Sequence, residues 1–199
     1  MNFFRDASWK APVFILGVVF VVYANSLWNG LTFDDHALVE DNQVIRTLDL
    51  GQIFSAPYWY DRFEAGLYRP VTTWTLAVNY GVGGGSPFGY HLVNVLLHGV
   101  NACLVYSIGR MVLGQVGAAV GVALLFGLHP VQTEAVNGIV GRAELLAAFF
   151  MLLSWSFYIR ADVGRGRRLG WAYLGALLAS FLGMLSKENA VSCVGVLFV

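Results

Sequence analysis

Five apolar stretches of near-spanning length dictate most of what this chain can become: 11–28, 91–111, 116–128, 143–158 and 169–185. A helix needs about 20 mainly apolar residues to cross the hydrocarbon core of a bilayer. The stretch 116–128 approaches that length with Gly114-Gln115 before it and the residues after Pro130 behind it. A sixth stretch opens at Ala190 and is still running at Val199, which predicts a longer whole protein. Only 12% of the residues are charged and the mean hydropathy is +0.64, against ~25% charged in a typical soluble domain. A disordered chain, a polybasic nucleic-acid binder and a disulfide-stapled secreted scaffold are excluded. Cys103 and Cys193 lie inside apolar runs, where a free thiol behaves as a small hydrophobe. The expected fold is an all-α polytopic membrane protein. It forms a single module over 1–199 with about six membrane helices, the last incomplete, and a large first outer loop at 29–90.

Arg5 and Lys10 ahead of an apolar run resemble a signal peptide. The run extends to Trp28, however, and Ala24-Asn25-Ser26 is a poor cleavage site, so a retained anchor is expected. With the N-terminus in the cytoplasm, the inner segments hold seven basic residues against two acidic ones, and the outer segments five against ten. The zero net charge thus conceals a strong separation, and only this orientation obeys the positive-inside rule.

The outer loop is where polar chemistry gathers. Asp34-Asp35-His36 follows the first helix almost at once, at the headgroup boundary. Short helices are expected at 37–43 and 48–54, and Pro57-Tyr58-Trp59-Tyr60 reads as an interfacial aromatic turn. Tyr68-Arg69-Pro70 opens a helix, since proline suits the first helical position. Val71, Trp74, Thr75 and Val78 share one face of it, as in a helix lying on the bilayer. The glycine run 81–85 has neither a preceding strand nor a following Lys-Ser/Thr, so it is a turn and not a phosphate loop.

In the second membrane helix His91, Asn94, His98 and Asn101 occupy an arc about 80° wide, by their helical spacing. His98 and Asn101 are expected to bond neighbouring helices. For His91 two readings stand, an interhelical bond or a contact to a substrate headgroup. Metal binding by His91 and His98 is disfavoured, because seven helical residues separate them by about 10 Å. Gly114, Gly117 and Gly121 are expected to mark close helix packing. Glu134, Arg142, Glu144, Lys187 and Glu188 lie at the outer membrane edge, where ionised groups are costly unless they pair or act on a ligand. Ion pairing at helix ends and phosphate binding by Arg142 and Lys187 both remain open.

In order along the chain, Phe33-Asp34-Asp35-His36, Tyr68-Arg69-Pro70, His91–His98, His129-Pro130 with Thr133-Glu134-Ala135-Val136, Gly141-Arg142-Ala143-Glu144 and Leu185-Ser186-Lys187-Glu188 carry a resemblance. The chain resembles the membrane module of the transmembrane and tetratricopeptide-repeat-containing O-mannosyltransferases of the GT-C superfamily. The resemblance implies a GT-C-like helical bundle, a polyprenyl-phosphate sugar donor such as dolichyl phosphate mannose, membrane lipid around it and a protein hydroxyl acceptor. It implies Asp34 as general base with Asp35 shaping the acceptor site, either being able to hold the role. It implies Arg69, then Arg142 and Lys187, as donor-phosphate ligands, and Glu134, Glu144 and Glu188, with His91, as orienting groups. The expected displacement inverts the anomeric centre. No cofactor is required by this chemistry, although a divalent metal beside the aspartate pair is compatible with it. The module is expected in a bacterial inner membrane or the ER membrane, N-terminus cytoplasmic. A relative using another sugar or acceptor is the nearest rival. A transporter would need midplane charges and inverted repeats, whereas a silent membrane anchor would tolerate replacement of Asp34, Asp35 and Arg69.

Overall fold

The computed structural model describes residues 9–59, 66–163 and 168–192, and among them every regular element is helical. The described helices are α1 (Lys10–Tyr23), α2 (Asp34–Val39), α3 (Leu50–Ser55), α4 (Pro70–Gly83), α5 (Pro87–Leu113), α6 (Val116–Leu128), α7 (Gln132–Asn137), α8 (Arg142–Val163) and α9 (Arg168–Ser186). Three spans are long and apolar enough to cross a membrane: α1 with its 3-10 continuation to Trp28, α5, and α8 as far as Ala161. Helix α6 and the segment Gly170–Ser186 are apolar but shorter. All five of the apolar stretches expected to span are helical, and α5, at 27 residues, runs longer than the apolar stretch that announced it. The aromatic turn's Tyr60, the loop charges Asp61, Arg62 and Glu64, and most of the sixth apolar stretch, with Cys193, lie outside the described residues.

Helices α1, α5 and α6 close one core around Ile15, Val19, Tyr23, Val95, Ala102, Ala119 and Ala123. Their close approaches run through Gly99 on Leu16, Gly109 on Ala119, and Gly127 on Val19 and Ala102. The expected contact glycines are not these. Gly117 and Gly121 meet no neighbour, and Gly114 caps α5 in a left-handed conformation (φ 70°). Spacing alone marks glycines that could admit a partner, not the face that receives one. Helices α8 and α9 form a second close pair, with Gly175 on Phe157 and Ser154 Oγ donating to the Ala176 carbonyl.

The outer loop builds a core of its own from Leu38, Val39, Ile45, Ile53, Tyr58, Leu76, Tyr90 and Ile139. Helix α2 begins at the aspartate pair itself, three residues before its expected start. That places both carboxylates in the first turn, where the helix dipole favours negative charge. Asp49 caps α3 by accepting from the Gly51 and Gln52 amides. Helix α4 starts with Pro70 at its first position and buries Thr72, Thr73, Leu76 and Ala77. Its exposed strip is Trp74, Val78 and Val82, while Val71, expected on that face, is buried.

Candidate functional site

A cavity of about 430 Å³ opens where the ends of these helices meet. Its charged lining comes from four places in the chain: Arg69 just before α4, Glu134 on α7, Glu144 on α8, and Lys187 just after α9. Thr72 Oγ1 donates to the Ser186 carbonyl at 2.8 Å, tying α4 to the end of α9 and setting Arg69 near Lys187. Arg69 Nε and Nη2 donate to the two oxygens of Glu188 at 2.9 and 2.5 Å, and its guanidinium lies over the Tyr58 ring, 4.7 Å from the centroid. The hydrogen bonds from Arg69 hold the Glu188 carboxyl down to about 2. Burial pushes the Tyr58 phenol well above its ordinary value, so Arg69 stacks on a neutral ring. Lys187 Nζ pairs with Glu144 Oε1, and Asn189 Nδ2 reaches the other oxygen at 3.4 Å. Glu134 differs. It is exposed in the cavity wall, and among the described residues nothing pairs with its carboxylate.

Part of the cavity lining is buried and polar. His98 and Asn101 form it, both fully buried, beside Phe126. His98 Nε2 meets the Gly127 carbonyl at 2.9 Å, and Asn101 Nδ2 donates to the Leu145 carbonyl at 2.9 Å. These are the helix-to-helix bonds expected of both. A carbonyl only accepts, so Nε2 carries the proton, and the neutral ring is left with an acceptor at Nδ1. That atom and Asn101 Oδ1 have no partner.

The other candidates lie behind the wall. Asp35, 1% exposed, accepts from the Val140 amide at 2.8 Å through Oδ1 and from Thr32 through Oδ2. Asp34 is exposed. Neither aspartate lines the cavity, and nor do His91 and Arg142. His91 is fully buried, and neither ring nitrogen completes a hydrogen bond. Arg142, 1% exposed, donates from Nε to Asn94 Oδ1 at 2.5 Å, and from Nη2 to Asn79 Oδ1 at 3.1 Å and the Tyr90 carbonyl at 2.9 Å. Its Nη1 has no partner.

These groups converge on the α7–α8 turn. Asp35 holds Val140, Asn94 Nδ2 donates to the Gly138 carbonyl at 2.8 Å, and Arg142 is gripped by the same Asn94. Gly141 lies so close to the Ala135 carbonyl that a β-carbon there would collide with backbone. The turn is therefore a fixed wall, and it carries Glu134, Val140, Gly141 and Glu144 into the cavity. Asn79 and Tyr58 were missed as supports. Tyr58 stood out only as an interfacial aromatic, and nothing in the spacing around Asn79 announces its buried arginine. Among the described residues, no group of three His, Cys, Asp or Glu side chains is placed to hold a metal ion.

Comparison with known proteins gives one direction. The family model described as dolichyl-phosphate-mannose-protein mannosyltransferase matches residues 68–199. The chain is 37% identical to Protein O-mannosyl-transferase Tmtc2 of Drosophila melanogaster over 189 residues, covering 90% of this chain and 20% of that protein. It is 33% identical to Protein O-mannosyl-transferase TMTC3 of Mus musculus over 200 residues, 96% of this chain and 21% of that protein. It is 36% identical to Protein O-mannosyl-transferase TMTC2 of Homo sapiens over 183 residues, 88% and 22% respectively. The chain thus spans about a fifth of the length of these curated relatives. No solved structure matches it.

Proposed function

Because the chain belongs to the dolichyl-phosphate-mannose-protein mannosyltransferase family, among its transmembrane and tetratricopeptide-repeat-containing members, we propose that it forms the donor-handling module of an inverting O-mannosyltransferase. The donor is a polyprenyl-phosphate mannose whose tail stays in the bilayer. The acceptor is a serine or threonine hydroxyl of a protein on the non-cytoplasmic face, in a bacterial inner membrane or the ER membrane. The observation that carries this reading is the cavity at the helix ends with two cations, Arg69 and Lys187, in its lining.

The leaving group is a phosphate that gains a second negative charge as the glycosidic bond breaks, and fixed cations stabilise that charge. Glu188 occupies two of the five N–H donors of Arg69. Glu144 occupies one of the three donors of Lys187. Donors therefore remain for phosphate on both, and the two carboxylates keep each cation aimed. Arg142, Asp35 and Asn94 support this by fixing the α7–α8 wall. Asp34, exposed on the first turn of α2, adds negative charge at the membrane edge.

A second reading is a non-catalytic membrane subunit, favoured by the fact that both cations already hold a carboxylate. Membranes carrying the chain, supplied with dolichyl phosphate mannose and a serine- and threonine-bearing peptide, separate the two. Under the enzyme reading Arg69→Lys and Lys187→Ala each lower transfer by about 100-fold or more, with helical content unchanged. Wild-type chain that transfers nothing, or both variants at full activity, would establish the subunit reading instead.

A further inference from the structure

We propose that the groove between α4 and α5 binds a membrane phospholipid, its acyl chain lying along the two helices and its phosphate drawn to Arg142. The inference is separate from the transferase reading, and its test measures lipid binding without sugar transfer. This second cavity, of about 350 Å³, is lined by Trp74, Val78 and Val82 of α4 and by Leu92 and Val93 of α5. It follows α4 for about 12 Å from Trp74 to Val82, by the helical rise. Trp74, Val78, Val82 and Val93 are exposed along it. On α5 it occupies the first two turns of a helix long and apolar enough to span a bilayer, so it lies at the edge of the hydrocarbon core.

Lipid tails are as apolar as the groove, so hydrocarbon alone selects nothing there. The selective element is charge. Arg142 is the one charged side chain in the lining, and it is 1% exposed. Its Nε and Nη2 donate to Asn94, Asn79 and the Tyr90 carbonyl, all neutral, and its Nη1 has no partner. The cation therefore has a donor to spare and no carboxylate against it among the described residues. A buried cation at membrane depth is costly until an anion meets it. A phosphodiester supplies both the negative charge and the acceptor oxygens, whereas water or an ester carbonyl supplies only an acceptor. Asn79 shares the lining with Arg142, and Gly89 lets α5 close on it, since a β-carbon at Gly89 would lie 3.0 Å from Asn79 Nδ2.

The occupant is a bilayer phospholipid and not the sugar donor. The groove shares no lining residue with the cavity that holds Arg69 and Lys187. A lipid lying along Trp74 and Val78 with its phosphate at Arg142 thus leaves both of those cations to another ligand. Its effect on the rest of the module runs through Asn94, which accepts from Arg142 and donates to the Gly138 carbonyl. A phosphate on Arg142 steadies that chain of bonds and, with it, the α7–α8 turn.

The test uses the full chain in a neutral maltoside detergent with phosphatidylglycerol carrying a diazirine in one acyl chain, the photolabelled residues being mapped by mass spectrometry. The stretches 74–82 and 89–93 should carry a clear excess of label over the exposed faces of α1 and α6. Unlabelled phosphatidylglycerol should displace that excess at about tenfold lower concentration than dioleoylglycerol, which lacks the phosphate, the factor that one hydrogen bond to a charged group supplies. Val78→Trp, at an exposed position that fills the groove, should lose the excess with the unfolding midpoint unchanged. Val122→Trp, on the exposed face of α6, should keep it. Label spread evenly over the apolar surface, or dioleoylglycerol competing as well as phosphatidylglycerol, would overturn the proposal. So would dolichyl phosphate displacing the probe at lower concentration than phosphatidylglycerol, which would make the groove the donor's. A groove without label, as when a second copy or another protein segment covers it, would overturn it too.

Discussion

Arg142 shows what a single side chain contributes here. Its guanidinium is buried and held by three neutral oxygens, with no carboxylate pairing with it among the described residues. Asn94 both accepts from Arg142 and donates to Gly138, so Asn94→Ala should remove two bonds at once and cost about 2–3 kcal/mol. The measurement is the unfolding midpoint in detergent, with Asn94→Ala lying clearly below an exposed control such as Gln43→Ala. The Arg69–Glu188 pair gives a pH-dependent counterpart. The Glu188 carboxyl is held down to about 2 by the hydrogen bonds from Arg69, below its ordinary 4.5. Its contribution to stability is therefore fully present above about pH 4.5 and is lost as the pH falls toward 2. More than half of the Glu188 side chain is exposed, so solvent keeps the effect modest. The midpoint difference between wild type and Glu188→Gln should shrink across that window, and a difference constant from pH 6 to 2 would remove the pair from the account. At this scale the residue types were legible and their partners were not. The run Asp34-Asp35 and the sequence Tyr68-Arg69-Pro70 stand out as motifs. Nothing local says that Asp35 will hold Val140, 105 positions away, or that Arg69 will find Glu188, 119 positions away.

Elements were more readable than residues, because hydrophobic length and proline position act locally. The run that became α6 has the boundaries expected of it, and Pro70 opens α4 as its fixed φ requires. What periodicity could not supply was which face each helix turns to which neighbour. The glycines make that failure measurable. Gly117 was read as a packing position and meets nothing, whereas Gly141, noticed only as part of a motif, admits no side chain against Ala135. Gly117→Ala should therefore be neutral or raise stability by up to about 1 kcal/mol through helix propensity. Gly141→Ala should cost about 1–3 kcal/mol or more, since backbone must shift. It should also lower transfer beyond its effect on folding, because the displaced turn carries Glu134 and Glu144. Equal midpoints for the two variants would contradict the fixed-wall description of the α7–α8 turn.

For the whole molecule, the distribution of charge and the position of the cavity come from the same constraint. Each membrane helix reverses the direction of the one before it, so the end of α1, the start of α5, the end of α6, the start of α8 and the end of α9 share one side. Arg69, Glu134, Glu144 and Lys187 all sit at such ends or in the loop between them. Two of the acidic residues that the charge reading places in the outer segments, Glu134 and Glu144, are therefore cavity-lining groups. Arg110 lies in the last turn of α5, about 35 Å from the helix start by the helical rise. If the bundle sits with its N-terminus inside, the donor reaches the cavity from the leaflet away from the cytoplasm and the basic end anchors the opposite face. Labelling by a membrane-impermeant thiol reagent in sealed vesicles of known sidedness checks this. With Cys103 and Cys193 replaced by serine, Gln43→Cys in the outer loop should react only from the non-cytoplasmic face, and Gln115→Cys between α5 and α6 only from the cytoplasmic one. The reverse pattern would put the cavity on the cytoplasmic side, where the charge separation predicts the basic helix ends instead. The membrane-edge donor could then reach Arg69 and Lys187 only from the inner leaflet.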